Sequence, residues 1–160
     1  MKSIIIVHSS SGTTLEFAEQ ISAKLKEKKY PVELVHLQTD PVIKGGTVGH
    51  TAPFKFINLP DIKDYELILL GGPVWAFSAS PIAIAALEKM GKFSGKKILP
   101  FVTMGFPFPW MGGNKAISMM SDKAKELGAT VLSGKIVPKL FHDFKSKFKI
   151  EAEDIANNVI

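Results

Sequence analysis

Apolar runs alternate with periodic, half-polar segments along this chain. Ile4-Ile5-Ile6-Val7 is β-branched and stops at His8-Ser9-Ser10, the pattern of a short strand covered on both faces. Thr13, with Glu16 three residues on, predicts the cap of a first helix whose Phe17, Ala18, Ile21 and Leu25 share one face and which ends near Lys29. Val32 to Leu37 alternates as a half-buried edge strand does, and Asp40 to Pro60, with glycines at 45, 46 and 49, reads as a long loop. Leu67-Ile68-Leu69-Leu70 is the next buried strand, and Pro81 opens an apolar helix through Met90. Lys97 to Thr103 is a further strand. A helix follows Gly113, with Ile117, Met120, Ala124 and Leu127 at helical spacing and Gly128 as its stop. Ala129 to Val137 predicts the last strand and Glu151 to Ile160 the last helix.

Strand and helix alternate five times, which predicts an α/β fold: a doubly wound sheet of five parallel strands with helices on both faces, in one domain spanning 1–160. In such sheets ligands bind beyond the carboxyl ends of the strands, where strand order reverses. The loops after the first, third and fourth strands are therefore the candidate site.

Composition narrows the class. The chain has 160 residues, 46% of them hydrophobic, and no Cys, so it can build a core without disulfides or a cysteine metal site. All 20 cationic residues are Lys. The guanidinium fork typical of nucleic-acid and 2′-phosphate sites is missing, so the net charge of +5 predicts a solvated basic surface rather than a nucleic-acid partner. Met1 to Val7 starts as a secretory leader does but breaks at His8 without a small-residue cleavage pattern. The uncharged stretch from Leu67 to Leu87 is cut by Gly71-Gly72-Pro73 and by Pro81, which leaves no bilayer span and predicts a cytoplasmic protein.

The three loops carry distinct chemistry. Ser9-Ser10-Ser11-Gly12-Thr13-Thr14 places five hydroxyls around one glycine at a helix start. Backbone N–H groups, the helix dipole and hydroxyls can there converge on a monophosphate without a charged side chain, Lys24 being the next lysine along the chain. One hydroxyl would suffice for a cap. The Gly-Lys-Ser/Thr ending of a Walker loop and the three spaced glycines of a dinucleotide fingerprint are both missing. A phosphoacceptor domain would need acidic residues where His8-Ser9 and Gly71-Gly72 stand, and a low-molecular-weight phosphatase would need Cys and Arg.

The second loop, Gly71 to Pro81, offers Pro73, Val74, Trp75, Ala76 and Phe77 to a planar ring, with Trp75 as the stacking candidate. The third, Thr103 to Gly113, offers Thr103, Met104, Gly105 and Phe106, followed by Phe108 and Trp110 between prolines. No formal charge lies in these loops. An uncharged aromatic slot beside a monophosphate cradle fits flavin mononucleotide (FMN), and near-neutral surroundings disfavour added negative charge on the ring, pushing its second electron to low potential. No side chain is assigned a catalytic or metal-binding role, and His8 reads as a packed strand-end histidine.

These residues resemble the flavodoxin family. Ser9-x-Ser11-Gly12-x-Thr14 is similar to its phosphate loop, and Asp64-Tyr65-Glu66-Leu67-Ile68-Leu69-Leu70-Gly71-Gly72-Pro73-Val74-Trp75 to its third strand and first flavin loop. The resemblance implies a short-chain flavodoxin-like fold with strand order 2-1-3-4-5, non-covalent FMN, and electron transfer to a redox partner protein or a small quinone-like acceptor. An NAD(P)H-dependent quinone or flavin oxidoreductase on the same fold is the alternative enzyme, and a cofactor-free interaction module the alternative without chemistry. Three features depart from the family: the net positive charge, Ala76-Phe77 where relatives often place a glycine whose peptide flips toward flavin N5, and a third loop rich in Phe, Pro and Trp where acidic residues are common.

Overall fold

The computed structural model describes residues 1–45 and 53–160. Gly46 and Gly49 of the predicted loop lie outside the described residues. Among those described, the elements run β1 (Ser3–Val7), α1 (Thr13–Glu27), β2 (Val32–His36), β3 (Thr39–Asp40), β4 (Lys55–Phe56), β5 (Leu67–Trp75), β6 (Ser78–Ala79), α2 (Pro81–Met90), β7 (Lys97–Met104), α3 (Gly113–Glu126), β8 (Thr130–Val131), β9 (Lys135–Pro138) and α4 (Phe144–Asn158).

The main sheet runs β2-β1-β5-β7-β8, all pairs parallel, with β9 continuing the last position beside β7. This is the expected 2-1-3-4-5 order. Side-chain alternation along the strands sorts the core into two layers. Ile4, Ile6, Ile68, Leu70 and Val102 pack with α2 and α3 on one face. Ile5, Val7, Leu67, Leu69 and Phe101 pack with α1 and α4 on the other, where Phe17 stacks on Phe148 at 5.0 Å.

The crossover from β2 to β5 carries no helix among the described residues, in keeping with the loop read there, and the four expected helices accompany the sheet. The antiparallel β3–β4 ribbon occupies that crossover, and Ile43, Phe54, Phe56 and Leu59 cover the core there. Several expectations are corrected. Thr13 does not cap α1. Gly12, in a left-handed conformation at φ 93, is the N-cap, and no side chain bonds the helix start. Leu67–Leu70 is only the first half of β5, which continues through Gly71-Gly72-Pro73-Val74 to Trp75 and turns back into β6. Gly71 is required inside the strand because a Cβ there would meet the Phe101 ring at 2.1 Å. The last strand breaks into β8 and β9. The last helix starts at Phe144, not Glu151, because Asp143 caps it by accepting from Ser146 N at 3.3 Å and Phe148 is buried one turn in.

Candidate functional site

β1, β5, β7 and β9 all end at the same edge, and the loops leaving them form a cavity of about 210 Å³. It is lined by Ser10, Ser11, Thr13, Thr14, Pro73, Val74, Trp75, Thr103, Met104, Gly105 and Lys139. Ten of these eleven come from the three loops singled out in the sequence. The eleventh, Lys139, was missed.

The amino end of α1 forms the floor. The first intrahelical bond here runs from Glu16 N to Gly12 O at 2.9 Å, so the N–H groups of residues 13–15 have no helical carbonyl to bond. Thr14 Oγ1 is instead buried against Thr103 Oγ1 at 2.7 Å, tying the first loop to the end of β7. Ser11 Oγ lies 3.3 Å from Thr13 Oγ1. A Cβ on Gly12 would meet nothing within 4 Å, so the space over the helix start is open. Into this place Lys139 brings its ammonium, donating to Thr13 Oγ1 at 3.2 Å and lying 5.0 Å from the Phe144 ring centre. The cradle therefore has a cation, which corrects the expectation of a site built from hydroxyls and amides alone.

The other expected residues, Ser9, Gly12, Ala76, Phe77 and Phe106, are not part of this lining. Ser9 holds the loop from behind: its Oγ accepts from Gly12 N at 3.2 Å and its carbonyl from His36 Nε2 at 3.0 Å. It lines a neighbouring cavity of about 490 Å³ with His8, Ser10 and His36. Trp75 is 8% exposed, with its ring edge-on to His8 at 5.0 Å and the Gly45 backbone close over it. Phe77 and Phe106 stack at the rim, 5.3 Å apart and 11° from parallel, each about half exposed.

Ala76 and Phe77 are the two turn residues between β5 and β6, at φ 44 and 62. Positive φ at both positions of a two-residue hairpin favours glycine or asparagine, and here neither is present. The turn already holds the backbone region that a glycine would ease. Ala76→Gly should raise stability by about 0.5–1 kcal/mol, read as a higher urea midpoint at unchanged slope.

His8 supports this wall from below. Its Nδ1 lies 2.6 Å from Ser80 Oγ, which also accepts from Ile82 N and Ala83 N as the cap of α2. With its lone pairs so used, the Ser80 hydroxyl donates to His8, which must then be neutral at Nδ1. Burial, and secondarily the charge of His36, lowers its pKa from 6.5 to about 4.

A sequence model described as Flavodoxin matches residues 50–137, more than half of the chain. The chain belongs to the flavodoxin family. Members of that family are electron-transfer flavoproteins, and this protein is one by descent and by fold. Among solved structures, oxidised flavodoxin 1 from Bacillus cereus is 20% identical, with 98% of this chain and 95% of that chain covered at a TM-score of 0.68. A flavodoxin from the domain Archaea is 20% identical over 99% of each chain, at 0.65. Two-electron reduced flavodoxin from Megasphaera elsdenii is also 20% identical, over 96% of this chain and 98% of that one, at 0.65. At this identity the likeness is one of fold. No curated protein matches the sequence.

Proposed function

We propose that this flavodoxin-family chain binds FMN without a covalent bond and passes electrons between partners, at least one of them a protein, in the cytoplasm. One observation carries the reading. The start of α1 has no side-chain cap although five hydroxyl residues surround it, and the ammonium of Lys139 reaches the same open space. Orphan N–H groups, a helix dipole and a cation that converge on one place fit a phosphate dianion.

Ser10, Ser11, Gly12, Thr13 and Thr14 would hold the phosphate from the loop side, with Ser9 keeping the loop in shape, and Lys139 from the other. Thr103, Met104 and Gly105 would face Pro73, Val74 and Trp75 across the slot. Ala76, Phe77 and Phe106 would bound the ring at the rim, where two aromatic faces already lie nearly parallel. When bound, FMN supplies reversible one- or two-electron chemistry. The chain's part is to grip, orient and shield it.

Lys139→Met is expected to weaken FMN binding by roughly tenfold to a hundredfold, the scale of one hydrogen bond to a charged group. Riboflavin, which has no phosphate, should bind both proteins equally. Fluorescence titration of the two ligands reads the difference. Equal losses for both would remove Lys139 from the phosphate. A chain that takes up neither ligand would favour an interaction module, and steady-state NADH oxidation with a quinone would favour the reductase.

A further inference from the structure

The same edge carries a second feature, outside the lining of the cavity proposed for the flavin. Phe108 and Trp110 stack 5.9 Å apart and 9° from parallel, 50% and 74% exposed. Leu140 and Phe141, 48% and 85% exposed, stand beside them. The two segments are one surface: Lys139 N bonds Met104 O at 2.9 Å, Leu140 N bonds Gly105 O at 3.1 Å, and the His142 ring lies 2.7 Å from Pro107 O. Phe141 sits at φ 62, a left-handed position that a bulky residue adopts only at a cost, so the backbone holds its ring outward against local preference. Contiguous exposed aromatics of this kind mark an interaction surface.

We infer that this face docks on an anionic lipid surface, with Phe108, Trp110, Leu140 and Phe141 entering the headgroup boundary. The rings with the most exposure stand at loop tips rather than in a groove, and a fluid interface receives such tips without a matching shape. Exposed lysines follow on both sides, Lys115 in the first turn of α3 and Lys147 in the first turns of α4, with Lys145 beside them paired to Glu16 at 3.0 Å. Asp143, two residues along from Phe141, is turned back to cap α4. The charge of the chain is carried by Lys throughout, with no Arg. Protein interfaces enrich Arg and deplete Lys, whereas a lipid surface needs only diffuse positive charge around aromatic anchors. Among the described residues no helix is long and apolar enough to cross a membrane, so the attachment is peripheral.

The test uses the full chain with vesicles of phosphatidylcholine alone or with about a quarter phosphatidylglycerol, in about 0.1 M salt. The chain should sediment with the anionic vesicles only, and its tryptophan emission should shift to the blue, a shift that Trp110→Phe abolishes while binding persists. Trp110→Ser with Phe141→Ser should cut partitioning at least about tenfold. An unchanged melting temperature and far-UV spectrum will show that this double variant folds. The inference is overturned if the wild-type chain stays in solution, if the double variant binds equally, or if ultracentrifugation finds a dimer that the same substitutions dissolve. None of these outcomes depends on FMN.

Discussion

Gly112→Ala is expected to unfold at a much lower urea concentration and to loosen the cofactor slot at the same time. Gly112 is the N-cap of α3 at φ 110, and a Cβ there would lie 2.5 Å from Phe77 Cα, 2.9 Å from Phe77 C and 3.0 Å from Val74 Cγ1. Two of these are backbone atoms of the turn between β5 and β6, which cannot swing aside as a side-chain tip can. Left-handed strain of about 1–2 kcal/mol adds to an overpacking cost of about 1–3 kcal/mol, so the loss should be roughly 2–5 kcal/mol. Gly95→Ala separates the two terms. Gly95 has φ 78 but nothing within 4 Å of its Cβ, so that variant carries the strain alone. Equal losses in the two proteins would show that the contact between Gly112 and the hairpin is slack. If it is tight, Gly112→Ala also displaces Phe77 and weakens FMN binding, whereas Gly95→Ala leaves it unchanged.

Acid should destabilise the chain in a window set by His8. Its folded pKa, about 4, is below the unfolded value of 6.5, so between these values the unfolded chain binds more protons. The stability His8 contributes is complete above pH 6.5 and is lost as the pH falls toward 4. The shift corresponds to a loss of about 3 kcal/mol. Exposed carboxylates act lower on the scale. Asp143, bonded to Ser146, and Glu153 and Asp154, bonded to Lys24 and Lys135, have lowered pKa values, so their contributions hold above the usual carboxylate range and fade below it. Urea midpoints measured from pH 7 to pH 4 should therefore fall in the wild-type chain and stay nearly level in His8→Gln. Parallel curves would mean that His8 takes up its proton without breaking its bond to Ser80.

The parts of the fold that were legible in the sequence are those whose local pattern and tertiary role agree. β1 and the first half of β5 are buried on both faces and read as unbroken apolar runs; α1, α2 and α3 carry their apolar stripes at helical spacing. The second half of β5 was hidden because Gly71-Gly72-Pro73 has the composition of a turn. The glycine at 71 is there for another reason, the Phe101 ring that occupies the place of its side chain. The first turns of α4 were hidden by Lys145, Lys147 and Lys149, which break the apolar stripe. Strands of two residues, such as β3 and β4, are too short for any periodicity to register.

Within the candidate site, the loops after β1, β5 and β7 were legible because hydroxyls, glycines and aromatics are unusual in that density. Lys139 was not. Nothing near it in sequence sets it apart from a surface lysine after an edge-strand proline. The usable signal was its position just past the carboxyl end of the last strand, on the edge where all the other site loops emerge.

The cradle draws on residues that emerge from the ribosome far apart in time. Thr13 is among the first to be made, and the lysine that reaches it comes 126 positions later. β1 also needs β5 as a neighbour before its loop is held in place. During synthesis the early loop would therefore lack both that lysine and the strand that holds it in place. The proposed capture of FMN would wait until most of the polypeptide has been released and folded, and loading would then draw on the free nucleotide that the finished chain encounters.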